Sequence, residues 1–175
     1  MRITLWLILL VVLHTRVAAQ APQLLSARRE IVITLQADPP TATPLFGPVM
    51  EKGWSPDWHP RFLYRTGPED QPTFAVFETG SADTPTTWVL TTYDVPGGHL
   101  EYVNIRAGHM ITVLDIRCSA GEKGTTTARI AYTRTALSPE ANSQVEHFAQ
   151  EFPSQAPHWE QALNSYIQRT HGTPK

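Results

Sequence analysis

The stretch SPEANSQVEHFAQEFPSQAPHWEQALNSY, residues 138–166, decides the fold. Its apolar positions are Val145, Phe148, Phe152, Ala156, Trp159, Leu163 and Tyr166, each three or four residues after the last. That spacing lines one face of a helix. Ser138 suits an N-cap, and Pro139 suits the first helical position, where a backbone N–H is not needed. Pro153 and Pro157 fall within the stripe without shifting its phase. A proline in a helix interior costs about 3 kcal/mol, so a kink or break is expected at 152–157, with both halves packing on one surface.

Strand patterns fill most of the chain before that helix. Residues 30–35 alternate, with Ile31, Ile33 and Leu35 on one face. Asp38-Pro39-Pro40 ends this strand, and Asp38 is placed to cap a short helical stretch over 41–50 that Gly47-Pro48 interrupts. Segments 61–66, 73–79, 86–93, 99–105, 109–118 and 125–135 then read as strands, rich in β-branched and aromatic residues. Turn residues such as Pro96-Gly97-Gly98 and Ala107-Gly108 separate them. In 109–118, Met110, Thr112, Leu114 and Ile116 share one face, and Ile111, Val113, Asp115 and Arg117 share the other. Strands joined by short turns predict an antiparallel sheet, and the final stripe must bury itself against it. The fold class is α+β.

The chain has 175 residues, 41% hydrophobic and 17% charged, with 14 Lys+Arg against 16 Asp+Glu. This suits one globular domain, expected over 28–172 behind a flexible lead-in at 20–27. The apolar content excludes a disordered chain. The charge balance, without a Lys/Arg cluster, argues against nucleic acid as a partner. Residues 1–19 read as a signal peptide: Arg2, an apolar run over 5–13, then Val17-Ala18-Ala19 before cleavage at Gln20. The run is shorter than the roughly 20 residues of a spanning helix, so no stable membrane insertion is expected after cleavage. Loss of Arg2 and Arg16 leaves 12 basic and 16 acidic residues, a charge of −4. The protein is therefore expected to be exported, periplasmic or secreted. Cys118 is the only cysteine and sits in an alternating strand, which predicts a buried, inert thiol rather than a disulfide.

Several strings in this order resemble the START-like, or SRPBCC (polyketide cyclase/dehydrase-like), superfamily. They are Pro44-Leu45-Phe46 with Gly53-Trp54 and Trp58, Thr87-Trp88-Val89 with Tyr93-Asp94, and Glu101-Tyr102-Val103. Tyr132-Thr133 with Ala136-Leu137-Ser138, and Trp159 with Ala162-Leu163 and Tyr166, complete the set. The resemblance implies a helix-grip fold: a curved antiparallel sheet wraps a long C-terminal helix, with a cavity for an apolar ligand between them. It carries no shared catalytic motif, so function does not follow from fold.

The chain has no Gly-x-Ser-x-Gly elbow, phosphate loop or His-x-x-x-His spacing, so no catalytic, metal or cofactor site is assigned from motif. Tyr102 and Asn104 share a strand face. His109 and Asp115 also share one but lie about 20 Å apart along it, too far to pair. Asp115 and Arg117 are placed on the solvent face. Trp54 and Trp58 lie on a Pro/Gly loop that is the candidate cavity mouth. The candidate ligand-binding residues are Trp54, Trp58, Trp88, Tyr102, Asn104, Tyr132, Phe148, Phe152 and Trp159. The expected function is binding of a small hydrophobic molecule, whether lipid, aromatic or isoprenoid-like. Alternatives are a cyclase- or hydrolase-type enzyme using Tyr102, Asn104, His109 or Tyr132 as acid/base groups, or a closed-core module binding a protein partner.

Overall fold

The computed structural model describes residues 23–172. The expected signal peptide at 1–19 lies outside the described residues. Seven strands form one antiparallel sheet: β1 (Ser26–Leu35), β2 (Arg61–Thr66), β3 (Phe74–Thr79), β4 (Thr86–Asp94), β5 (His99–Arg106), β6 (Met110–Ala120) and β7 (Thr126–Ala136). Their spatial order is β1-β7-β6-β5-β4-β3-β2, so β2 to β7 are nearest-neighbour hairpins and β1 returns to the edge beside β7. β1 starts at Ser26, inside the stretch expected as a lead-in, because Ser26 and Ala27 already pair with Thr135 and Arg134.

Between β1 and β2 the chain makes three short helical turns. Asp38 caps α1 (Pro39–Ala42) by accepting from the Thr41 N–H. A 3₁₀ turn over Thr43–Phe46 follows, and a second covers Met50–Gly53. The extended backbone at Gly47 separates them, which is the interruption expected at Gly47-Pro48 within the helical stretch over 41–50.

The C-terminal segment breaks where its prolines require. After a 3₁₀ turn at Pro139–Ala141 come α2 (Asn142–Glu151), a 3₁₀ turn at Phe152–Gln155, and α3 (Ala156–His171). Pro153 and Pro157 each fall within the first two positions of a new helical piece. There the missing N–H has no intrahelical role, so the break avoids the interior penalty. Ser138 occupies the N-cap position without making a side-chain cap bond.

The stripe stays in phase across the break. Phe148, Phe152, Leu163 and Ile167 are buried against Ile31, Ile33, Leu35, Ile116 and Ile130 of the sheet, and Val145 is buried in a second cluster with Met110, Ala136 and Ala141. The result is the expected helix-grip arrangement. Gly98, at positive φ in the β4–β5 turn, is needed there: a Cβ would lie 2.1 Å from the Cys118 carbonyl oxygen. Cys118 itself is buried, and burial pushes its thiol up to about 11, with the Thr43 hydroxyl opposing.

α3 also closes one edge of the sheet. Asn164 accepts from the Gln36 N–H and donates to the Thr34 carbonyl, at 2.8 and 2.9 Å. Glu160 accepts from the Thr34 N–H at 2.8 Å. These side chains satisfy backbone groups at the end of β1 and just after it that have no neighbouring strand. Asn164→Ala is expected to destabilise the fold by about 1–2 kcal/mol in urea denaturation, with Ser165→Ala changing it by less than about 0.5 kcal/mol.

Candidate functional site

Register builds the site. Residues paired across β4 to β7 form rows that run over the concave face of the sheet. One row is Leu100, Ile116 and Ile130, fully closed by core. The next is Leu90, Tyr102, Leu114 and Tyr132. The next is Trp88, Asn104, Thr112 and Arg134. Successive rows lie two residues apart on each strand, since side chains alternate faces. Along the strands the concave face thus passes from aliphatic, through aromatic, to polar and cationic.

The aromatic row borders an enclosed cavity of about 20 Å³, the size of a single water molecule. Tyr102, Tyr132, Leu114 and Ile116 form its floor, Trp88 one side, and Phe46, Trp58 and Trp159 its cover. The Tyr102 hydroxyl donates to the Phe46 carbonyl at 2.8 Å, which fixes the first 3₁₀ turn to the sheet. Trp58 meets Trp88 edge-on at 5.2 Å and donates its indole N–H to the Pro48 carbonyl. Trp88 stacks on Phe77 and donates to the Thr79 hydroxyl.

Glu51 is the one acid lining this cavity. It stands on the second 3₁₀ turn, which Gly53 lets lie directly against α3: a Cβ there would be 2.4 Å from the Tyr166 ring. The Glu51 carboxyl accepts no hydrogen bond among the described residues, and burial pushes it up to about 8. That shift favours the neutral, protonated form at pH 7. Burial, with Glu51 nearby, raises Tyr102 and Tyr132 as well. Both tyrosines stay protonated.

The polar row opens into a groove of about 340 Å³. Trp58, Trp88 and Tyr132 line both spaces, so cavity and groove share a wall. Asn104, Thr112, Gln144, Arg106 and Arg134 line the groove's polar part. Arg134 lies 4.4 Å over the Phe148 ring. Burial lowers its pKa from the ordinary value, Tyr132 opposes the shift, and Arg106 adds to it.

Of the residues expected from sequence, Trp58, Trp88, Tyr102, Tyr132 and Trp159 come together at the cavity, and Asn104 joins Trp58, Trp88 and Tyr132 at the groove. Trp54 stands beside the site. It packs between Phe46 and Trp159 and donates its N–H to the Leu45 carbonyl at 2.7 Å. Phe148 and Phe152 back Tyr132, at 6.3 and 4.9 Å between ring centroids, without lining either space. His109 bonds Gln144 at 3.0 Å. Asp115 lies on the opposite face of the sheet and pairs with His99 and Arg117, both at 3.0 Å. Glu51, Thr112, Arg134, Arg106 and Gln144 are polar site residues that sequence reasoning missed. Among the described residues no cluster of His, Cys, Asp and Glu could hold a metal ion, and no helix is long and apolar enough to cross a membrane.

Neither a scan against protein-family models nor a search of curated proteins gives a match. Solved structures do match. An aromatase/cyclase from a Streptomyces species superposes with a TM-score of 0.61 at 13% identity, over 85% of this chain and 99% of that one. Norcoclaurine synthase from Thalictrum flavum gives 0.59 at 11%, over 93% and 98%. It is also known in complex with dopamine and hydroxybenzaldehyde. A START superfamily protein from Mycobacterium smegmatis gives 0.60 at 12%, over 81% and 97%. At such identities the likeness shows a shared fold.

Glu51 makes stability depend on pH. Unfolded it ionises near the ordinary 4.5, folded near 8. Between these values the folded chain keeps a proton that the unfolded chain has lost, so stability falls as pH rises through the window and levels off above it. Glu51→Gln is expected to be about 4 kcal/mol more stable than the unaltered protein at pH 9, and only about 1 kcal/mol more stable at pH 5, in urea denaturation at both values.

Proposed function

With the START-like helix-grip fold as premise, we propose that this protein binds a small hydrophobic molecule between its sheet and its C-terminal helix. The observation behind this reading is the shared wall: Trp58, Trp88 and Tyr132 border both the enclosed cavity and the open groove. The groove falls within the size range of small-molecule sites. The cavity does not, so a ligand enters through the groove and deepens the site by displacing Trp58. That residue is suited to move, because it stands on a loop and its indole N–H has one partner, the Pro48 carbonyl. Flat aromatic walls favour a ligand with a ring system or a rigid hydrocarbon frame. The aromatic compounds bound by norcoclaurine synthase support an aromatic ligand over a flexible acyl chain. Glu51 offers a hydrogen-bonding partner to a hydroxyl or amine at the inner end.

Glu51 also favours a second reading, catalysis. A neutral carboxylic acid in an apolar cavity is a general acid at neutral pH. The two readings part on the fate of the ligand, which a binding protein returns unchanged.

Export belongs to the proposal and rests on residues 1–19. Expression from the full chain should give a mature protein beginning at Gln20 by N-terminal sequencing. Native mass spectrometry of that protein should reveal a co-purifying apolar adduct, released chemically intact. Trp88→Ala should lower its retention by about tenfold, a loss of about 1.4 kcal/mol in binding. Absence of any apolar adduct, together with no change in tryptophan fluorescence across a panel of aromatic and lipid extracts, would overturn the binding reading. A ligand recovered altered would favour catalysis.

A further inference from the structure

We infer that the ligand carries an anionic group, of carboxylate type, and that Arg134 receives it in the groove. This inference rests on the binding reading above and adds the chemistry of the ligand's outer end. Arg134 is half-buried on the concave face, in register with Thr112 and opposite Ala27. It forms no salt bridge and no hydrogen bond among the described residues. Its Nε is buried without an acceptor. The groups that bear on its charge are Tyr132, a neutral phenol, and Arg106, a second cation. Among the described residues, Arg106 has the neutral Gln144 as its one side-chain partner, at 3.3 Å.

Elsewhere several arginines are paired with carboxylates. Arg61 pairs with Glu78, Arg65 with Glu69, Arg117 with Asp115 and Arg129 with Glu30, and all these arginines are more exposed partners on edges or the convex face. Arg29 and Arg169 also lack a carboxylate partner among the described residues, but both are exposed to solvent; Arg134 is the half-buried arginine without one, and it lines the groove. An Arg drawn into a half-buried site without an anion is unfavourable unless a partner arrives from solution. Phe148 holds the guanidinium plane from one side, 4.4 Å away, which orients it before any ligand binds. A planar guanidinium matches a carboxylate in shape and charge. Asn104 and Thr112 stand in the same row as further polar contacts, and Trp88 ends that row as a surface for a ring. The groove thus fits a molecule with an aromatic body and an anionic end.

The test is calorimetry with two probes of equal shape, naphthalene-2-carboxylate and naphthalene-2-carboxamide, in buffer free of phosphate and sulfate. The carboxylate is expected to bind about tenfold more tightly or better. Arg134→Gln should bring the ratio close to one by weakening the carboxylate alone, and Arg134→Lys should keep part of the preference. Equal binding of the two probes to the unaltered protein would overturn the inference and leave the hydrophobic-ligand reading standing. So would a preference that survives Arg134→Gln. Binding of neither probe would also overturn it, and would count against the parent reading only if the exported protein had carried no apolar adduct. Should Arg134→Gln fail to fold, the ratio in the unaltered protein and in Arg134→Lys decides the matter.

Discussion

The register of β4 to β7 is the constraint from which the rest of the molecule follows. A one-residue slip in any of these strands would turn its inward side chains to solvent. Tight turns hold them against that slip, and Gly98 does so through a contact that admits no side chain. Once registered, every second residue on each strand adds to a row on the concave face. One helical segment covers those rows, and its apolar stripe is long enough for the aliphatic and aromatic rows. The polar row extends beyond the part that it seals, and there the groove opens. Core and site are therefore neighbouring stretches of one surface.

Much of this was legible in the chain. Alternation in 109–118 assigned Met110, Thr112, Leu114 and Ile116 to one face, and that face is the buried one. The step pattern from Val145 to Tyr166 gave the closing helix, and the two prolines gave the place of its break. The order of elements was enough to suggest the helix-grip fold, which the solved structures share at 11–13% identity. At that level the pattern of burial persists while most residues have changed.

The site was legible in part. The aromatic members were found because large rings in strands and Pro/Gly loops are conspicuous. Trp54, Phe148 and Phe152 have the same chemistry but fall one layer behind, a distinction that depends on three-dimensional packing. Glu51 gave no signal, because a 3₁₀ turn has too few residues for a periodic pattern to reveal its inward side. Arg134 did leave one. It stands two residues after Tyr132 and so faces the same way, but charged strand residues are ordinarily assigned to solvent. Parity along the strand outweighed residue type in this case. Thr112 shows the same rule more mildly: it is a polar residue with 3% exposure, in the face that its neighbours define.

The bonds from Glu160 and Asn164 to β1 have a consequence for self-association. A sheet with two open edges is able to add strands at both and so to grow without limit. Here α3 takes up the Thr34 N–H and carbonyl and the Gln36 N–H at one end of the β1 edge, and β2 is the opposite margin, with a bulge between Phe62 and Tyr64 and arginines at 61 and 65. Any joining of copies through that margin would use it up in both partners. Joining through the β2 margins alone therefore terminates at a pair.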